Sequence, residues 1–131
     1  MLPPVASIFA LFLPVLVSSM ECWTELSASV VSGTDFSEDG TIMGYKQCRS
    51  AETRCGRAVN VAISRITNLD GAKDENSVSS WLNGKTGIAR KAEMCMTQAD
   101  CVALGSSVSA TCDAVPATDS CCCTTERCTK G

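Results

Sequence analysis

The stretch "CCCTTERC", Cys121 to Cys128, sits near the end of a 131-residue chain that carries ten cysteines. Thiols at that density allow three chemistries. Thiolates hold zinc or copper. A thiolate of lowered pKa is a nucleophile. In an oxidising compartment thiols pair as disulfides. Structural zinc sites are usually built from separated Cys-x2–4-Cys knuckles, and the chain has no His, so zinc would need four thiolates. The missing His also removes Ser-His-Asp and Cys-His catalysis. Glu126 and the carboxylates of "SEDG" (37–40) and "DGAKDENS" (70–77) read as solvated loop charges. No catalytic residue, metal ligand or cofactor is expected, and the chain is not read as an enzyme. The even cysteine count favours disulfides. Adjacent cysteines rarely bond each other, because the geometry is strained. In a strand, however, neighbouring side chains point to opposite faces. Cys121, Cys122 and Cys123 can therefore each reach a different partner, which makes the triplet a meeting point of bridges.

The redox compartment is legible at the other end. "LPPVASIFALFLPVLV", Leu2 to Val17, carries no charge and runs into small residues at Ser18 and Ser19. This is the pattern of a secretory signal peptide over residues 1–19. The apolar stretch is shorter than the roughly 20 residues a spanning helix needs, and prolines interrupt it. Residues 20–131 then form a single cysteine-rich domain. Its aromatics are Trp23, Phe36, Tyr45 and Trp81, enough for a thin core only. Cross-links at roughly 2–4 kcal/mol each must supply what packing does not. The net charge is −3, with acidic and basic residues interspersed. No basic face is present for nucleic acid, and "CTKG" is not the hydrophobic tail of a lipid-anchor signal. A secreted, extracellular protein without a stable membrane anchor is expected.

The elements that position the cysteines read as short strands. The segment from Cys22 to Cys48 has turn formers in "SGTDFSEDG", with Val30, Val31, Ile42, Met43 and Tyr45 on the flanks, which predicts a hairpin. Val59, Val61 and Ile63 alternate with Asn60, Ala62 and Ser64, a period-two strand signal. Residues 70–77 read as a charged, exposed loop. Asn83-Gly84 is a turn dipeptide, and a short helix over Ala89–Met96 is the competing reading of the segment beyond it. "CVALGSSVSATCDAVPATDSCCC" reads as a short hairpin with a loop. The expected fold class is small, disulfide-rich and all-β, with long loops gathered at a disulfide knot.

The cysteine spacing carries a resemblance. "CRSAETRC", "CMTQADC" and the terminal "CCTTERC" look like the three-finger fold of snake neurotoxins and urokinase-receptor-type domains, in which hairpins project from a disulfide knot. The whole cysteine order is closer still to the nematode ET module, and Glu52-Thr53 in "AETRC" is in keeping with that name. The resemblance runs from Cys22 to Cys128. It implies the bridges Cys22–Cys55, Cys48–Cys95, Cys101–Cys122, Cys112–Cys121 and Cys123–Cys128. Spacing alone does not choose them, since eight cysteines already allow 105 connectivities and ten about nine times as many. Three-finger domains usually have Asn after the last cysteine; Thr129 stands there in this chain.

The remaining chemistry is recognition by loops on a rigid scaffold. In "SSWLNGK", Trp81 and Leu82 sit beside the Asn83-Gly84 turn. Trp81, Leu82 and Asn83 are the candidate partner-binding residues, because Trp is enriched at interface hot spots. The competing reading places Trp81 in the core, where large apolar side chains mostly go, and Trp23 reads as core as well. The function expected is a non-enzymatic module binding an extracellular protein or receptor. The alternative is a secreted inhibitor or toxin-like effector of a protease or channel, acting through a loop held between bridges such as Asp113–Ser120.

Overall fold

The computed structural model describes residues 20–33 and 43–129. The proposed leader 1–19, Phe36, the "SEDG" turn and Ile42 lie outside the described residues. So do the side chains of Val30 and Val31.

Alternation builds the first strand. In β1 (Glu21–Gly33), Cys22, Thr24 and Leu26 are fully buried while Glu21, Trp23 and Glu25 are only partly covered. That is the period of two that a pleated strand imposes. β2 (Met43–Gln47) pairs antiparallel with it, Trp23 opposite Tyr45, so the expected first hairpin is present. β3 (Arg54–Ala62) and β4 (Lys85–Met96) also pair antiparallel, and β4 lies against β1 as well. The segment after Asn83-Gly84 is thus strand, not helix. Gly84 takes φ 75°, the left-handed conformation that makes glycine the favoured residue at such a turn. With β5 (Val108–Ser109) and β6 (Cys121–Cys123), one six-stranded sheet results, in the order β2-β1-β4-β3-β6-β5.

Two expectations are corrected. The chain is mostly β but not all-β. Among the described residues, four short helices cover one face of the sheet: α1 (Ile63–Thr67), α2 (Asp70–Lys73), α3 (Asn76–Leu82) and α4 (Gln98–Ala103). The charged "DGAKDENS" is therefore α2 and the entry to α3, not a loop. Its exposed charges are the outer side of helices whose inner side is Ala72 and Val78. Second, "CVALGSSVSATCDAVPATDSCCC" is not a hairpin, because β5 runs parallel to β6. A parallel pair needs a crossover, and residues 110–120 provide it.

The helices are held by polar anchors at their ends. Glu75 caps α3, accepting from the Ser77 backbone N–H at 3.0 Å. Thr97 and Asp100 form a reciprocal capping box on α4. Asp100, 3% exposed, also accepts from the backbone N–H groups of Asp70 (2.8 Å) and Gly71 (3.0 Å). One carboxylate thus ties α2, α4 and the end of β4 together. Gly71 presses so closely on β4 that a Cβ there would fall 2.0 Å from the Cys95 carbonyl oxygen.

The buried residues form two clusters. On the helical side lies an apolar core of Leu26, Ala58, Ile63, Ile66, Leu69, Val78, Trp81, Leu82, Met94 and Met96. The other cluster is sulfur-rich, containing Cys22, Cys48, Cys55, Cys95, Cys112, Cys121, Cys123 and Cys128. Antiparallel pairing explains the gathering. The starts of β1 and β3 and the ends of β2 and β4 fall at the same end of the sheet, and each carries or adjoins a cysteine.

Candidate functional site

Every cysteine is bridged. The pairs are Cys22–Cys55, Cys48–Cys95, Cys101–Cys122, Cys112–Cys121 and Cys123–Cys128, with Cα–Cα separations between 5.4 and 6.2 Å. These are the same five pairs that the cysteine order implies by resemblance. The triplet divides as strand geometry requires. Cys122 points into the helical core and joins α4 through Cys101, while Cys121 and Cys123 belong to the sulfur cluster. Bridges pack on bridges there: Cys22 and Cys48 sulfurs lie 3.3 Å apart, and those of Cys112 and Cys123 3.5 Å. The Cys22, Cys48 and Cys95 sulfurs lie within 4.8 Å of one another, the spacing of a metal cluster. Each is committed to a disulfide, so none offers the thiolate that a metal needs.

The residues singled out for binding do not share one surface. Trp81 (7% exposed) and Leu82 (2%) are core residues; with Val78 they form the inward i, i+3, i+4 stripe of α3. Of the three candidates only Asn83 is exposed. The core reading of Trp81 is the one its burial supports. Trp23, read as core, is instead partly exposed on β1.

Trp23 belongs to a cluster that the spacing of the sequence does not reveal. Its ring meets Tyr45 edge-on at 4.9 Å across β1 and β2. The Arg127 guanidinium stacks over the Tyr45 ring at 4.3 Å, close enough for a cation–π contact. Arg127 also donates to Glu21 Oε1 through Nε at 2.8 Å, and the Trp23 indole N–H donates to Glu25 Oε1 at 2.7 Å. Tyr45 is 40% and Met43 59% exposed. Both lie on β2, an outermost strand of the sheet.

Glu25 connects this cluster to a cavity of about 330 Å³. Register builds its floor, because Glu25 is opposite Glu93 and Glu93 opposite Arg57, which is opposite Cys121. Arg57 is 7% exposed and donates to the carbonyls of Asp119 and Pro116 at 3.1 Å each. It thereby straps residues 115–119 across the sheet. The Ser120 hydroxyl completes the strap by accepting from the Val59 backbone N–H at 2.9 Å. Asp113–Ser120 is thus fastened at its Cys112–Cys121 end and from beneath, while Asp113, Ala114 and 116–119 stay exposed. Within the cavity, Lys91 Nζ lies 3.3 Å from Glu93 Oε2 and 3.7 Å from Glu25 Oε2. Glu93 is 3% exposed. Burial raises its pKa above the ordinary glutamate value, and the nearby Lys91 charge offsets part of that rise.

Besides Glu93 and Asp100, a further carboxylate is buried, that of Glu52. Glu52 is 4% exposed, accepts from the Arg49 backbone N–H at 2.9 Å, and among the described residues has no hydrogen-bond partner at Oε2. Burial raises its pKa above 4.5, the Arg49 N–H and charge oppose the rise, and Asp74 and Asp100 add to it. A carboxyl whose folded pKa is raised contributes stability in its protonated form, lost as pH rises from 4.5 through the folded value. Glu52→Gln removes that titration. Compared with wild type, its denaturant midpoint is expected to gain steadily as pH rises from 4.5 to neutrality. Parallel pH curves for the two proteins would refute this.

The class of protein is thus a small, five-disulfide β-sheet protein with one helical face and one face carrying an aromatic–arginine cluster and an acidic cavity. Among the described residues, no helix is long and apolar enough to cross a membrane. Compared with protein families, curated proteins and solved structures, the chain matches none of them.

Proposed function

We propose that the chain is a secreted, non-enzymatic interaction module of the ET type, binding an extracellular protein through the face that carries Trp23, Tyr45 and Arg127. The observation behind this is the chemistry of that cluster. Trp, Tyr and Arg are the residue types that dominate interface hot spots, and here they stack on one another at the rim of a sheet anchored by the knot. The adjoining edge of β2 adds backbone groups that a partner strand can pair with. Five disulfides suit an oxidising compartment. The hairpins β1–β2 and β3–β4 leaving a common knot support the three-finger likeness; the continuous sheet and the helices inserted between β3 and β4 are particular to this chain.

The test uses the full chain expressed in eukaryotic cells and collected from the medium, where it is expected to begin at Met20. Displayed as a multimer, it is screened against receptor ectodomains. A saturable partner is expected, and Tyr45→Ala with Arg127→Ala should weaken it at least about 30-fold, the scale of one hot spot. Both side chains are exposed, so the unfolding free energy should change by less than about 1 kcal/mol. A partner that ignores both substitutions would overturn the choice of face.

The strapped 113–120 loop favours one second reading, an inhibitor that presents this loop. Its test is a panel of secreted proteases. Inhibition lost on breaking the Arg57 strap would favour it; no inhibition at micromolar concentration would count against it.

A further inference from the structure

We infer that the cavity beneath the 113–120 strap is a receptor for one basic side chain, a lysine or arginine inserted by the partner, with the Glu93 carboxylate as its acceptor. This rests on the binding reading above and names what the partner contributes.

The argument begins with acceptors left over in a buried place. Among the described residues Glu93 Oε1 has no hydrogen-bond partner, nor has the Thr129 hydroxyl, 3% exposed, on the same cavity wall. Thr129 lies near enough to favour the charged form of Glu93, but the two do not make a well-formed hydrogen bond. Leaving a buried carboxylate oxygen unpaired is costly; Oε1 is itself closed to solvent, so a donor entering the cavity removes that cost once the carboxylate turns to meet it.

The sign of the donor is set by the lining. Glu25, Glu93 and Asp113 are acidic, while Arg57 and Lys91 are basic. Arg57 is turned into the strap carbonyls. Lys91 engages the outer oxygens, Oε2 of both Glu93 and Glu25, and leaves Glu93 Oε1 unused. The excess charge is negative, and the unused group is an acceptor. An anion would meet three carboxylates.

The shape of the donor is set by the walls. Val115 and Ala117 give one wall apolar surface. A polar floor under an apolar wall suits a charged head on a methylene stem. At about 330 Å³ the cavity lies at the small end of ligand sites, room for one side chain rather than a folded segment.

The experiment is an NMR titration of the labelled, disulfide-intact protein with n-butylammonium and n-butylguanidinium, with butyrate and 1-butanol as controls at equal ionic strength. Saturable amide shifts at Glu93, Val115, Ala117 and Thr129 are expected for a cation only, with half-saturation in the millimolar range. Glu93→Gln should weaken binding at least tenfold. Lys91→Gln, at a partly exposed position, should tighten it severalfold by removing a competing ammonium, and it decides the matter if Glu93→Gln does not fold. Equal shifts with butyrate or butanol, no saturable shift, or a Lys91→Gln protein that binds no tighter would overturn the inference. Cadaverine binding more than tenfold tighter than n-butylammonium would replace a side chain by a free diamine, which also overturns it. The Tyr45→Ala, Arg127→Ala protein should bind the cations as wild type does, so failure of the cavity and failure of the aromatic face read out separately.

Discussion

Asp100→Ala is expected to lower the unfolding free energy by about 3–6 kcal/mol, and to abolish the native fold where the total lies at the low end of the usual range. The carboxylate accepts three backbone N–H groups, from Asp70, Gly71 and Thr97, at 2.8 to 3.1 Å. Alanine deletes all three acceptors at once. The Gly71 N–H is buried, with the Cys95 backbone pressed against the same residue, so water does not replace the carboxylate there without moving β4. Each stranded donor costs about 1–3 kcal/mol. Asp100→Asn separates shape from acceptor number. Its amide oxygen still serves one side of the site, while its NH2 faces further N–H donors, so an intermediate loss is expected. Guanidinium unfolding with the disulfides intact measures both. An alanine variant within about 1 kcal/mol of wild type would show that the helices are not held by this carboxylate.

The second large effect belongs to the bridge that ties a helix to the sheet. Cys101–Cys122 joins α4 to β6 from within the apolar core, and both residues are essentially inaccessible, at 1%. It closes 21 residues, against 5 for Cys123–Cys128. The loop-closure relation gives about 3 kcal/mol for the first and about 2 for the second. Replacing Cys101 and Cys122 by alanine also removes two buried sulfurs from a packed interior, which adds a cavity cost. The Cys101/Cys122 double variant should therefore fall by about 3–4 kcal/mol or more, clearly further than Cys123/Cys128. The loss should be local as well: amide exchange in α4 should speed up before exchange in β3 or β4. Equal losses for the two pairs would mean that the sulfur cluster alone sets stability and the helical face contributes little to it.

The sequence by itself determined the features that depend on local chemistry. Alternation from Val59 to Ser64 is a property of neighbouring residues, and the strand is there as β3 up to Ala62, while Ile63 and Ser64 open α1 instead. The absence of His, the density of cysteine and the turn dipeptide Asn83-Gly84 are local too. So is the division of the triplet, because adjacent strand residues must face apart; Cys122 accordingly leaves the sulfur cluster for the core. The helices are not legible because each spans seven residues or fewer, under two turns. Their signals are Ile63 and Ile66, then Val78, Trp81 and Leu82, and the Thr97–Asp100 capping pair. At that length the pattern is indistinguishable from chance, and packing against the sheet supplies the helical stability.

Only the tertiary structure decided the rest, since it depends on which strands lie side by side. Trp81 is core because α3 lays it on the sheet, and Trp23 reaches the surface because β1 turns its odd-numbered side away from the helices. Arg127 finds Tyr45 across 82 positions of sequence because the Cys123–Cys128 bridge folds the C-terminal turn back to the start of β1, where the Arg127 N–H meets the Glu21 carbonyl. Glu93, one carboxylate among many in the sequence, becomes a buried acceptor because register sets Glu25 and Arg57 beside it and the strap from 115 to 119 closes over it. Residue type declares what a side chain can do; long-range pairing determines where it is desolvated and what stands opposite it.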